Sequence, residues 1–201
     1  MSYTCCPVPT AIQSIVTTLI PCPADFGQIQ KLIFWRSGNT FVTTSIGVIT
    51  AWNAIITATD STKAVVTPFL GMVELKAGAI RSYGSANETP YGIPYRKGRQ
   101  GTPFKAEIQR STQAIISLLK KLECENLEVL FINESNQLGY NATTTTYFGG
   151  FTARSFAVGD LTIGGFTNPD TNEILFDLLP NWSDSFTIST ATTFLLSLVN
   201  S

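Results

Sequence analysis

The 201-residue sequence contains no histidine. Histidine acts as the general base of serine and cysteine hydrolases, as a common zinc ligand and as the side chain that titrates near neutral pH. Its absence excludes histidine-dependent hydrolysis, histidine-ligated zinc and a histidine pH switch. We therefore predict a protein that is not an enzyme and that has no catalytic residues.

Charged residues are scarce as well. They make up 13% of the chain, about half of the roughly 25% that is typical of soluble proteins. Threonine alone occurs 27 times, as often as Asp, Glu, Lys and Arg together. Because 44% of the residues are hydrophobic, most of the chain is too apolar to be disordered. So little charge on an apolar chain is typical of proteins whose surfaces contact other molecules.

Motifs for metals, cofactors and membranes are lacking. The cysteines, Cys5, Cys6, Cys22 and Cys124, include no C-x-x-C pair, and the glycine-rich segments match no phosphate-binding motif. We therefore predict no metal and no cofactor. A disulfide between Cys22 and Cys5 or Cys6 is geometrically possible, whereas a cytosolic location favours reduced thiols. The chain shows no secretory signal and no window of about 18 apolar residues, so we predict no membrane contact.

Short segments rich in β-branched and aromatic residues predict a mainly β fold. We expect a β-dominated α+β domain over residues 1–201, built as a β-sandwich or barrel. Prolines at positions 7, 9, 21 and 23 predict an extended N-terminal arm over residues 1–25. The predicted strands cover residues 26–35, 40–48, 48–57, 64–67, 69–75, 128–133, 143–148, 151–158, 161–163, 174–176 and 185–199.

Two segments depart from this strand pattern. Residues 77–104 contain eight glycines and prolines, which predict a long irregular loop. Residues 105–122 carry apolar side chains at helical spacing, with Thr102 as a candidate N-cap and Pro103 at the first helical position. The sequence therefore predicts one flanking α-helix at about 105–122.

Charge is sorted along the chain. Residues 1–121 carry 12 basic and 5 acidic side chains, whereas residues 122–201 carry 1 basic and 9 acidic side chains. A basic loop on one subunit that meets acidic strand edges on the next fits this pattern best. The residues that we predict at such a subunit interface are Arg96, Lys97, Arg99 and Lys105.

Other interpretations of these segments stay open. The basic segment also fits a solvated loop, or a nucleic-acid contact through phosphate charge and stacking on Tyr91 and Tyr95. The polar residues between Asn168 and Glu173 fit a plain turn, or a set of oxygen ligands for an ion. Threonine runs such as residues 143–146 predict sheet faces that pack against further copies of the chain.

Residues 22–34, CPADFGQIQKLIF, are similar to segments of phage structural proteins. With an arm, a β-sandwich, a long loop and one flanking helix, the chain resembles tailed-phage virion proteins, most of all the tail tube (major tail) protein family. The resemblance implies hexameric rings that stack into a tube, through which phage DNA passes without sequence-specific binding. It also implies that residues 77–104 and an arm, either residues 1–25 or the C-terminal tail, reach neighbouring copies and that other virion proteins are partners. The expected location is the virion tail, after synthesis in the host bacterial cytoplasm.

Two alternatives accompany this hypothesis. One places the protein elsewhere in the virion, as a capsid decoration, head–tail connector or tail-tip protein. The other is a β-fold carbohydrate-binding module or glycosidase, in which Trp35, Trp52, Trp182 and the six tyrosines stack on sugars. A glycosidase also needs a pair of acids, for which Glu74 and Asp177 are examples. Tryptophans in apolar strands more commonly pack in the core.

Overall fold

The computed structural model describes residues 26–84, 88, 91, 93–109 and 111–198. The predicted N-terminal arm, residues 1–25, lies outside the described residues. The described chain forms a hairpin unit, residues 80–98, and a sheet unit, residues 26–79 and 99–198. The single domain expected over residues 1–201 stays a prediction.

The described residues are dominated by β-strands, and the β-dominated fold predicted from the sequence is confirmed. The strands are β1 (Ile29–Arg36), β2 (Phe41–Val42), β3 (Val65–Val66), β4 (Leu70–Leu75), β5 (Ile80–Tyr83), β6 (Tyr95–Arg99), β7 (Thr102–Gln109), β8 (Leu127–Asn133), β9 (Leu138–Ala142), β10 (Tyr147–Gly149), β11 (Phe151–Val158), β12 (Thr171–Leu178) and β13 (Phe186–Ile188). The helices are α1 (Ile49–Ile56) and α2 (Gln113–Lys120).

Eleven strands of the sheet unit pair into one antiparallel sheet. Its main path runs β2-β10-β9-β8-β11-β12-β7-β4, and β1, β3 and β13 attach to this path. Strand β8 is the branch point, because β1 pairs with it along its whole length while β11 pairs with its beginning and β9 with its end. The remaining strands, β5 and β6, pair with each other in a separate two-stranded sheet.

Strands β1 and β8 are buried on both faces. Leu32 and Phe34 of β1 belong to one hydrophobic core, whereas Ile33 and Trp35 belong to a second core on the opposite face. The residues of β8 alternate between the two cores in the same way. This explains why both strands have nearly continuous apolar sequences, since a strand with one solvated face would alternate.

The passage from β10 to β11 requires a glycine. A Cβ atom at Gly150 would lie 2.7 Å from the Cβ of Glu128 and 2.9 Å from the backbone nitrogen of Val129. Contacts this short to backbone and Cβ atoms have no room to relax. Gly150 therefore lets the chain pass closely against β8 at the branch point of the sheet.

The helix predicted at 105–122 begins later than expected, at Gln113. Thr102 and Pro103, expected at its start, lie in strand β7, whose side chains alternate between buried and more exposed. Helix α2 instead has Thr112 as its N-cap, whose Oγ1 accepts a hydrogen bond from the backbone N–H of Ile115 at 3.4 Å. The alternating apolar positions of β7 fit a half-buried strand, and that burial outweighs the cap-like sequence.

The predicted irregular loop at 77–104 contains paired strands among its described residues. Strands β5 and β6 lie within it, and β7 begins before it ends. Gly84 and Gly98 adopt positive φ angles of 87° and 125°, a backbone region that glycine enters without strain. Gly84 follows β5 and Gly98 lies within β6, so glycines in this segment are compatible with a paired structure.

The threonine run at 143–146 forms a bend between β9 and β10. The Oγ1 atom of Thr144 accepts hydrogen bonds from the backbone N–H groups of Thr146 at 3.3 Å and Tyr147 at 3.0 Å. Serine and threonine commonly stabilise turns by such local bonds. The expectation of a self-packing sheet face at this run is therefore wrong.

Candidate assembly surfaces

The hairpin unit presents an exposed aromatic surface. All four residues of β5 are exposed, as are Tyr91 and Tyr95, whereas β6 is partly buried. The surface is formed by Tyr83, Tyr91 and Tyr95.

Two predicted interface residues, Arg96 and Lys97, lie in this hairpin. The Nζ atom of Lys97 lies 4.5 Å from the centre of the Tyr83 ring, which is a cation–π contact. The Nε atom of Arg96 is shielded from solvent and has no hydrogen-bond partner among the described residues. The hairpin thus combines positive charge with aromatic surface.

The other two predicted interface residues, Arg99 and Lys105, belong to the sheet unit. Arg99 lines a cavity of about 260 Å³ together with Trp182. The Nζ atom of Lys105 lies 2.6 Å from a carboxylate oxygen of Glu173. The hydrogen bond to this carboxylate and the negative charge of Glu173 raise the pKa of Lys105. Lys105 is therefore engaged within its own chain, and the four predicted residues are divided between the two units.

Several acids of the C-terminal half have partners within the sheet unit. Glu125 pairs with Arg36 at 2.6 Å, and Asp160 pairs with Lys120 at 2.5 Å. Hydrogen bonds from these cations lower the pKa of both carboxyls, because they favour the ionised form. Part of the negative charge predicted for strand edges is therefore neutralised inside the chain.

Other acids of this half are exposed. They are Glu123, Glu134, Asp170, Asp177 and Asp184. Asp177 lies on β12, and Asp184 lies in a short 3₁₀ helix that follows it. These carboxylates are the remaining acidic surface that a basic partner segment could meet.

The burial of the tryptophan side chains decides which of them could stack on a sugar. Trp35 and Trp52 are 3% and 0% exposed, so neither ring offers a face to a sugar. Trp182 is partly exposed and borders two cavities of about 260 and 330 Å³. Glu74, one of the acids considered for catalysis, is paired with Lys76. Among the tryptophans, sugar stacking therefore depends on Trp182.

Two apolar features of the sheet unit were not predicted from the sequence. One is a groove of about 960 Å³ beside α2. The other is a loop, residues 159–170, in which Leu161, Ile163 and Phe166 are exposed. The signal for the loop is the presence of three large apolar residues in a segment otherwise typical of turns.

Within the described ranges, no three histidine, cysteine, aspartate or glutamate side chains come together in a group that could hold a metal ion. In the turn between Asn168 and Glu173, Asp170 instead accepts a hydrogen bond from the backbone N–H of Gly164 at 3.0 Å. That carboxylate therefore braces the loop. The helices in the described part of the chain are too short to cross a membrane.

No protein-family model and no curated protein matches the sequence. Among solved structures, the chain is similar to a chain of the cryo-EM structure of the anti-feeding prophage (AFP) baseplate, 6-fold symmetrised. The two chains are 8% identical, the match covers 84% of this chain and 96% of the other, and the TM-score is 0.35. These values describe a weak structural resemblance to a component of a prophage baseplate.

Proposed function

We propose that the protein is a non-enzymatic structural subunit of a phage-like virion, and more specifically a tail tube subunit. Copies assemble into rings, the rings stack, and the resulting tube conducts phage DNA without reading its sequence. The observation that carries this proposal is the exposed hairpin of β5 and β6, which places cations beside tyrosines. The low charge of the chain and its β-dominated fold support it.

The hairpin has the composition of an interface. Tyrosine and arginine are enriched at protein interfaces and supply much of their binding energy. The hairpin presents Tyr91 and Tyr95 close in sequence to Arg96 and Lys97. We infer that it docks on exposed acids of the next copy, with Asp177 as a candidate partner, and that complementary charge sets the register of this contact.

Nucleic-acid binding is the second candidate function for the same hairpin. Bases stack on open aromatic faces, whereas Lys97 already lies over one ring, that of Tyr83. The sheet unit itself carries exposed acids, Asp177 and Asp184, which the hairpin cations can meet in another copy. We therefore favour docking between subunits.

Reversal of the hairpin charges tests the proposed docking. We expect the double variant Arg96→Glu, Lys97→Glu to fold normally, because Lys97 is exposed, Arg96 is half-buried and neither residue belongs to a hydrophobic core. Its assembly should require a protein concentration at least about tenfold higher than that of the wild type. The reason is that losing an interface charge contact of about 1.4 kcal/mol raises the dissociation constant tenfold. The measurement is sedimentation velocity over a concentration series.

A matched control is the quadruple variant Thr44→Glu, Thr50→Glu, Asn53→Asp, Thr145→Glu, which has the same net charge and changes exposed neutral residues of the sheet unit. It should assemble at nearly the wild-type concentration. Equal assembly of the hairpin variant and the wild type contradicts the docking role. Binding of single-stranded DNA by the wild type that is lost in the hairpin variant would instead favour the nucleic-acid function.

A further inference from the structure

The loop at residues 159–170 displays apolar side chains outward. Phe166 is fully exposed, and Leu161 and Ile163 are 56% and 77% exposed. The same segment contains two acids, Asp160 and Asp170, and no basic residue. Three large apolar side chains exposed together in one acidic loop are unusual for a surface that meets only water.

This loop is held in a defined shape. Thr162 and Thr171 exchange backbone hydrogen bonds of 2.8 and 3.0 Å across its base. Asp170 accepts a hydrogen bond from the backbone N–H of Gly164, and a Cβ atom at Gly164 would lie 2.2 Å from the carbonyl oxygen of Asn168. A loop that is already ordered loses little conformational entropy when it binds, which favours its use as a binding element.

A groove of about 960 Å³ lies elsewhere on the sheet unit. One wall is helix α2, which contributes Ile115 and Leu118, and the opposite wall includes Phe69. These three side chains are 36%, 59% and 49% exposed, respectively. The charged residues that line the groove are Lys63 and Lys121. The groove is therefore apolar and carries basic residues, whereas the loop is apolar and carries acidic residues. The two surfaces are complementary in charge.

The base of the loop and the groove are offset around α2. Lys120 of this helix pairs with Asp160 at the base of the loop, whereas Leu118 of the helix and Lys121, which follows it, line the groove. Lys120 lies about 200° around the helix axis from Leu118 and about 100° from Lys121. A loop that starts away from the groove suits a contact with the groove of another copy.

We propose that the loop at residues 159–170 of one copy inserts into the α2 groove of a second copy. Leu161, Ile163 and Phe166 fill the apolar groove, and Asp170 faces Lys63 and Lys121, while Asp160 stays paired with Lys120 of its own chain. Such a contact joins two different surfaces, so it repeats from copy to copy and closes into a ring or continues as a filament. This inference rests on the proposed self-assembly and identifies one pair of surfaces that performs it.

Disulfide trapping between two single-cysteine variants tests this contact. In a background with Cys5, Cys6, Cys22 and Cys124 changed to serine, one protein carries Phe166→Cys and the other carries Leu118→Cys. When the two proteins are mixed under mild oxidation, the yield of disulfide-linked mixed dimer should be at least about tenfold higher than the yield of dimer from either protein alone. The reason is that proximity raises the effective thiol concentration. A third protein with Met72→Cys, at an exposed site on β4, is the matched control.

The outcomes separate this inference from the proposed function. Trapping by Phe166→Cys with Leu118→Cys, but not with Met72→Cys, supports the contact. Assembly by sedimentation without that trapping, or equal trapping with both partners, overturns the contact and leaves the proposed function standing. A protein that neither assembles nor traps contradicts both. If the serine background does not fold, Phe166→Asp in the wild-type chain should abolish assembly and Met72→Asp should not, and equal assembly of these two overturns the contact.

Discussion

Replacing Phe131 with alanine is expected to lower the free energy of unfolding by about 3–5 kcal/mol. Phe131 is fully buried in the middle of β8, at the branch point of the sheet. Its ring lies 5.8 Å from the rings of Phe151 and Trp182 and 6.2 Å from that of Phe104, measured between centroids. Truncation removes these contacts and leaves a cavity that strands paired on both sides cannot close.

The measurement is equilibrium unfolding in urea, compared with Phe166→Ala as the matched control. Phe166 has the same side chain but is fully exposed, so its loss should change the unfolding free energy by no more than about 0.5 kcal/mol. Equal losses for the two variants would contradict the burial of β8 on which the described fold depends.

Replacing Glu128 with glutamine is expected to destabilise the protein by about 1.5–3 kcal/mol. One carboxylate oxygen accepts hydrogen bonds from the indole N–H of Trp35 at 3.2 Å and from the backbone N–H of Gly150 at 3.1 Å. The other accepts from the hydroxyl of Ser37 at 3.0 Å and from the backbone N–H of Gly38 at 3.1 Å. Glutamine has a single acceptor oxygen, so one pair of donors would face an NH₂ group.

Urea unfolding of Glu128→Gln and of the control Glu134→Gln tests this prediction. Glu134 follows the end of the same strand and is exposed, so its substitution should cost no more than about 0.5 kcal/mol. The Glu128 variant should be less stable than the wild type, with no change in the slope of the unfolding free energy against urea concentration, because the same surface is exposed on unfolding. A Glu128 variant as stable as the control would show that these bonds contribute little.

The inner strands were the easiest part of the fold to predict. The apolar run at 128–133 and the pattern at 151–158 correspond to β8 and β11 almost residue for residue. Both strands lie in the sheet interior, where burial and strand propensity favour the same conformation. Where burial and strand propensity agree, the sequence alone is sufficient to predict the strand.

Tertiary burial overrode local propensity elsewhere. Residues 48–57 are rich in β-branched side chains and were predicted as a strand, yet Ile49–Ile56 form α1. This helix buries Trp52 completely, and the indole N–H of Trp52 donates a hydrogen bond to the carbonyl of Ile46 at 3.0 Å. Packing of a large aromatic ring outweighs preferences of a few tenths of a kcal/mol per residue.

The candidate interface was predictable only in part. Sequence pattern identified Arg96 and Lys97 as a basic segment, and they lie in an exposed hairpin. The pairing of Lys105 with Glu173 joins residues of two strands far apart in the chain, which no local pattern shows. The groove beside α2 is similarly formed by segments distant in sequence, so it becomes visible only once the sheet is assembled.

Negative-stain electron microscopy of the purified protein over a concentration series tests the proposed self-assembly. We expect rings at intermediate concentration and stacked rings or tubes at high concentration, together with a concentration-dependent rise in sedimentation coefficient. A folded protein that stays strictly monomeric at every concentration, with no rings or tubes, would contradict it.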